Sequence, residues 1–81
     1  MNDRLFTLYS RQGCHLCDDM RGQLQALGQE LGFRFTEIDI AGDMKLEERF
    51  GTLIPVFAQG EHVICNYYLD PQAVRAILEK E

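Results

Sequence analysis

Apolar positions along the chain fall into short blocks whose spacing switches between that of a strand and that of a helix. Leu5-Phe6-Thr7-Leu8-Tyr9 is a nearly continuous apolar and β-favouring run closed by Ser10-Arg11-Gln12-Gly13. A strand buried on both faces has this pattern, so a first, central strand is predicted here. From Cys14 onward Leu16, Met20, Leu24, Leu27 and Leu31 recur three or four apart. They form the stripe of an amphipathic helix, with Gly32 as its stop. Residues 33–40 alternate at first and then change apolar phase at Ile38. A second strand is expected there from β-branched and aromatic content more than from period.

The second half continues in shorter units. Ala41-Gly42-Asp43 offers a turn with an Asp N-cap, and Leu46 and Phe50, closed by Gly51, are enough for a two-turn helix. Pro55-Val56-Phe57-Ala58 and His62-Val63-Ile64-Cys65 flank Gln59-Gly60-Glu61 and read as an antiparallel hairpin. Asp70-Pro71 then caps a last helix, with Leu69 positioned to staple against Val74 and with Ile77 and Leu78 on the same face. The predicted order is β-α-β-α-β-β-α, an α/β fold with a four-stranded mixed sheet flanked by three helices. No linker, repeat or low-complexity segment divides residues 1–81, so a single domain is expected.

Composition narrows the function classes. Thirteen acids against eight bases give a net charge of −5, and no Lys/Arg stripe is present to neutralise a phosphate backbone. Nucleic acid is therefore not an expected partner. No apolar run approaches the ~18 residues of a membrane span, and Met1-Asn2-Asp3-Arg4 lacks the pattern of a signal peptide. The expectation is a cytoplasmic protein without membrane association, and a monomer; no face outside the core reads as a large apolar patch that would itself set an oligomeric state. Three cysteines is an odd count for a disulfide-stapled secreted domain. In a reducing compartment they point to chemistry or to metal binding.

Cys14-His15-Leu16-Cys17 lies at the junction of the first strand and first helix. That spacing puts both sulfurs within one helical turn, close enough to pair reversibly. Cys14 sits where unpaired helix N–H groups and the positive end of the helix dipole favour an anion, which assigns it the role of nucleophile. Cys17, one turn deeper, is the resolving partner that displaces the reduced substrate from a mixed disulfide. Two alternatives use the same cysteines: half of a zinc or iron-sulfur site, or a redox-inert interaction domain with buried thiols.

The segment Tyr9-Ser10-Arg11-Gln12-Gly13-Cys14-His15-Leu16-Cys17, together with Gly51-Thr52-Leu53-Ile54-Pro55-Val56, resembles the glutaredoxin-like branch of the thioredoxin superfamily over essentially the whole chain. The resemblance implies a dithiol-disulfide oxidoreductase of thioredoxin-like fold that needs no cofactor. Its substrate would be a protein or glutathione disulfide. It also implies a cis bond at Ile54-Pro55 in a loop near the cysteines, leaving the Ile54 backbone free to pair with an extended substrate. Arg11, His15, Leu16, Ile54 and Pro55 are then the expected substrate-contacting residues. Glutathione-dependent members carry a Gly-Gly pair after the fourth strand and an Asp soon after. Here Ile64-Cys65-Asn66-Tyr67-Tyr68-Leu69-Asp70 departs from that pattern. The donor therefore stays open between glutathione and a thioredoxin-reductase-type protein.

The remaining residues each have two readings. Cys65 is either a third redox thiol or a small buried hydrophobe. His62 and Cys65 with the Cys14/Cys17 pair nominally make a Cys₃His zinc set, but on a regular strand they alternate to opposite faces. His15 either supports the Cys14 thiolate as an imidazolium or is a solvated first-turn residue. Asp18 and Asp19 oppose a thiolate at Cys14, with Arg11 the expected compensating cation. Tyr67 and Tyr68 either form part of a partner-binding patch or cover the end of the core.

Overall fold

In the computed structural model, which describes residues 5–80, the elements run β1 (Phe6–Ser10), α1 (His15–Leu31), β2 (Phe35–Asp39), α2 (Met44–Phe50), β3 (Val56–Gln59), β4 (His62–Asn66) and α3 (Pro71–Glu79). This is the predicted order. The residues used to argue against a signal peptide, 1–4, lie outside the described range. One mixed sheet has the strand order β2-β1-β3-β4. β1 pairs parallel with β2, Phe6 beside Phe35, and antiparallel with β3, Leu8 beside Phe57. The helix between β1 and β2 is what lets those two run parallel.

Strand β1 is displaced by one residue from the predicted run: Leu5 is 70% exposed, and Phe6, Leu8 and Ser10 are the buried positions. Its two faces are covered unequally. Phe6, Leu8 and Phe57 pack with Met20, Leu24 and Leu27 of α1 and Val74 of α3 in the larger cluster. Phe6 and Phe57 stack with ring centroids 5.3 Å apart. The opposite face carries a smaller cluster of Ile40, Phe50 and Val56, with Tyr9, Leu46 and Ile54 against it. Among the described residues the short α2 packs on it, through Leu46 and Phe50, and Thr7 and Tyr9 stay half-buried.

This two-sided burial explains the phase change in the second strand. Phe33 joins the α1 side and Ile40 the α2 side, so the chain crosses from one layer to the other along β2. The strand itself is a largely exposed sheet edge, and Ile38 is 37% exposed. In α1 the stripe begins at Cys17, which is fully buried, and not at Leu16, which is half-buried. The helix ends at Gly32 in the left-handed region, φ 81°. Gly51, by contrast, ends α2 at φ −54° in the right-handed region, so no left-handed closure occurs there. Asp43 and Asp70 cap α2 and α3 as predicted, accepting from the Leu46 and Ala73 N–H groups.

The hairpin is tighter than its sequence pattern. Gln59 still pairs with His62, which leaves Gly60-Glu61 as the turn, with Gly60 at φ 58°. The register shifts between Phe57 and Ala58: Cys65 faces Phe57 whereas Val63 faces Ala58. Ile64 is thus the extra residue of a bulge. The shift places His62 and Cys65 in phase on one side of the sheet and overturns the expectation that alternation separates them.

A charge cluster ties the layers together at the end of β1. The Arg21 guanidinium donates two parallel hydrogen bonds of 2.6 Å to the Glu37 carboxylate of β2 and a third of 2.8 Å to Asp18. The buried Ser10 hydroxyl donates to the same Glu37 carboxylate at 2.7 Å. The Arg21 guanidinium, aided by the Ser10 hydroxyl, holds the Glu37 carboxyl below its ordinary value of 4.5, against the opposing effect of partial burial.

Two expectations follow from the packing. A Cβ added at Gly28 would lie 2.7 Å from the Phe33 backbone carbonyl oxygen, where neither group can rotate away. Gly28→Ala should lower stability by about 1–3 kcal/mol in urea titration, although alanine is the better helix former. Since the folded Glu37 value is depressed, its stabilising contribution is complete above the unfolded value of 4.5 and is lost as pH falls below it. Urea midpoints of wild type and Glu37→Gln should therefore converge as pH is lowered from neutral to below 4.5. A constant gap would exclude this ionic contribution.

Candidate active site

Cys14 is the N-cap of α1, in extended conformation at φ −95° and ψ 111°. Helix starts leave several N–H groups without an intrahelical acceptor. Here the Cys14 sulfur accepts the Cys17 N–H at 3.1 Å, the position that a Ser or Asp oxygen usually fills. Gly13, at φ 79°, turns the chain from β1 into this cap. Cys14 and Cys17 are disulfide-bonded, with Cα atoms 5.1 Å apart. Their exposures differ as predicted: Cys14 is half-buried and Cys17 fully buried.

The residues around the pair are deployed less uniformly. His15 is exposed on the first turn, and Leu16 half-buried beside it. Arg11 does not serve as the counter-charge expected for the Asp18 region, because it is ion-paired with Glu47 of α2. Arg21, a residue the sequence reading did not single out, pairs with Asp18 instead. A shallow cleft of about 260 Å³ lies beside these groups, lined by Ser10, Arg11, Gln12, Arg21, Glu37 and Asp39.

The Ile54-Pro55 bond is cis. The ladder pairs Tyr9 with Val56, so Pro55 stands at the same end of the sheet as Ser10 and the segment leading to Cys14. One expectation about this loop is corrected. The Ile54 N–H is not free for a substrate, because it donates to the Phe50 carbonyl at 3.1 Å. The loop is also fastened from the end of β4 and the residue after it, by Tyr67 N–H to the Pro55 carbonyl at 2.9 Å, the Tyr67 hydroxyl to the Thr52 carbonyl at 2.5 Å, and the Asn66 amide to the Leu53 carbonyl at 3.4 Å. Tyr67 adopts φ 66°, uncommon for a residue with a side chain. Sequence pattern gave no sign of this clamp, which joins segments far apart in the chain. Leu53, Tyr67 and Tyr68 remain exposed at 39%, 41% and 71%.

Cys65 is half-buried in β4 against the larger core cluster. Burial pushes its thiol above the ordinary value, which keeps it protonated and weakly nucleophilic at neutral pH. Although the bulge brings His62 and Cys65 into phase, no three His, Cys, Asp or Glu side chains are grouped to hold a metal ion among the described residues. Nor is any described helix long and apolar enough to cross a membrane.

Known proteins agree with this architecture. Residues 5–79 match the glutaredoxin-like domain family (DUF836). The solution structure of protein Ne2328 from Nitrosomonas europaea is 30% identical and superposes with a TM-score of 0.82, covering 95% of this chain and 98% of that one. The X-ray structure of target protein XcR50 from X. campestris is also 30% identical, with a TM-score of 0.73 over 94% and 97%. Thioredoxin 1 from Thermosipho africanus, at 13% identity and a TM-score of 0.65 over 94% and 96%, shares the fold. No curated relative matches at a significant level. With a thioredoxin-like fold, a close cysteine pair at the start of α1 and the family match over nearly its full length, the chain belongs to the glutaredoxin-like domain family.

Proposed function

We propose that the protein is a dithiol-disulfide oxidoreductase that reduces disulfides through Cys14 and Cys17. The observation that carries this reading is the division of labour at the helix start: the half-exposed Cys14 sulfur accepts an N–H bond, while Cys17 waits fully buried with its Cα 5.1 Å away. A hydrogen bond to sulfur at the positive end of a helix favours the thiolate over the thiol.

In the forward step the Cys14 thiolate attacks one sulfur of a substrate disulfide, forming a mixed disulfide and expelling the other sulfur as a thiolate. Cys17 then attacks the Cys14 sulfur and passes its proton to the second substrate sulfur as it leaves, while the first substrate thiolate takes up the proton that Cys14 released on ionising. The second substrate thiol leaves, and the Cys14–Cys17 disulfide remains. Two electrons have passed from protein to substrate, and an external dithiol or thiol donor must return them. The substrate is a protein or glutathione disulfide, and the donor glutathione or a thioredoxin-reductase-type protein. Arg11, His15, Leu16, Ile54 and Pro55 border the path by which substrate meets Cys14. With the Ile54 N–H committed to Phe50, any strand-like pairing there has to use its carbonyl. The same reading places a monomer in the cytoplasm, where disulfides need continual reduction.

Cysteine substitutions test the assignment. Cys14→Ser should abolish reduction of a protein disulfide. Cys17→Ser should instead accumulate a covalent mixed disulfide visible by mass, and Cys65→Ser should leave turnover within about twofold, since its buried thiol is weakly ionised. Undiminished reductase activity in Cys14→Ser would sink the proposal.

A further inference from the structure

We propose that Arg21 is a positioning residue for the thiol chemistry: it pairs with the Asp18 carboxylate and so weakens that carboxylate's opposition to the Cys14 thiolate. The inference rests on Cys14 being the nucleophile. Asp18 belongs to the same helical turn as the reactive sulfur, since its N–H donates to the Cys14 carbonyl at 3.0 Å. An uncompensated carboxylate there would cancel much of the benefit of the helix start.

The compensation is built with some rigidity. One arm of the Arg21 guanidinium meets Asp18 at 2.8 Å. The other edge is gripped through two bonds of 2.6 Å by Glu37, whose carboxylate is itself held by the buried Ser10 hydroxyl. A lone lysine or arginine on the surface would swing between partners and spend time in water. Here the edge strand holds the guanidinium over the first turns of α1. The other charged or titratable residues nearby in sequence offer no substitute: Arg11 is committed to Glu47, His15 is exposed, and Asp19 adds negative charge. The fork-to-carboxylate geometry is one that arginine makes and lysine cannot reproduce.

Alkylation of Cys14 in the reduced protein, followed by mass at several pH values, reads the thiolate directly and does not require turnover. At low ionic strength Arg21→Gln should slow alkylation near neutral pH by about two- to threefold, with the pH midpoint moved upward. Adding Asp18→Asn to that variant should restore most of the rate, and high salt should shrink the difference. Arg21→Lys, which keeps the charge, should fall between wild type and Arg21→Gln. A wild-type rate in Arg21→Gln at low salt, or a slowing that survives in the double variant, would overturn the proposal. Should Arg21→Gln fail to fold, Arg21→Lys decides: with the forked bond lost it should slow alkylation at low salt, and a wild-type rate overturns the proposal. These outcomes are separate from the oxidoreductase reading, which stands or falls on turnover by Cys14.

Discussion

One N–H bond at the start of α1 organises the chemistry of this protein. The Cys17 N–H would be an orphan at the helix terminus, and it is satisfied by the sulfur of Cys14. The cap that lets the helix begin is therefore the same atom that the redox reading requires as nucleophile. Its position follows from helix formation, not from a separate device. The cap in turn needs a chain that leaves β1 at Ser10 and turns through Gly13 at positive φ. β1 can supply that fixed starting point because it is held by ladders on both sides, to β2 and to β3.

The unequal layers around the sheet have consequences for the site. The larger cluster holds Met20 and Leu24 of α1, and Cys17 on the same helix is fully buried, so the deep face of α1 has little freedom. The opposite layer is thinner and is held partly by aromatic contact, Tyr9 against Phe50 at 4.6 Å between centroids. Arg49 lies over the same Phe50 ring at 4.7 Å. Between the two layers, at the end of β1, polar groups replace apolar ones: Ser10, Glu37, Arg21 and Asp18 join the central strand, the edge strand and α1 in one network. Exposed ion pairs contribute little to stability, yet a forked arginine bond to a carboxylate that also accepts from a buried hydroxyl sets orientation and local field well.

The second half of the site is a pair of tethered loops. The segment containing the cis Ile54-Pro55 bond is bonded from within by Phe50, and by Asn66 at the end of β4 and Tyr67 just after it. What stays exposed there is the surface formed by Leu53, Tyr67 and Tyr68, while the Ile54 N–H is bonded to Phe50.

The chain's local patterns determined a good deal. Helical spacing from Leu16 to Leu31, the Asp43 and Asp70 caps, the Gly32 stop and the hairpin residues act within a few positions of one another, so they were legible in one dimension, and element order followed. The Cys14/Cys17 pair was legible for the same reason, its two residues sharing a single turn. Tertiary structure decided the matters that depend on distant residues. Burial of Cys17 in place of Leu16 is set by which side of α1 meets the sheet. The phase change at Ile38 makes sense only once there are two layers for Phe33 and Ile40 to enter. A bulge at Ile64 reverses the facing of His62 relative to Cys65, since one extra residue shifts the period of two. The pairing of Arg21 with Glu37, and of Arg11 with Glu47, spans 16 and 36 positions in the chain. Charges choose partners by distance in space, and spacing in sequence carries no record of that choice.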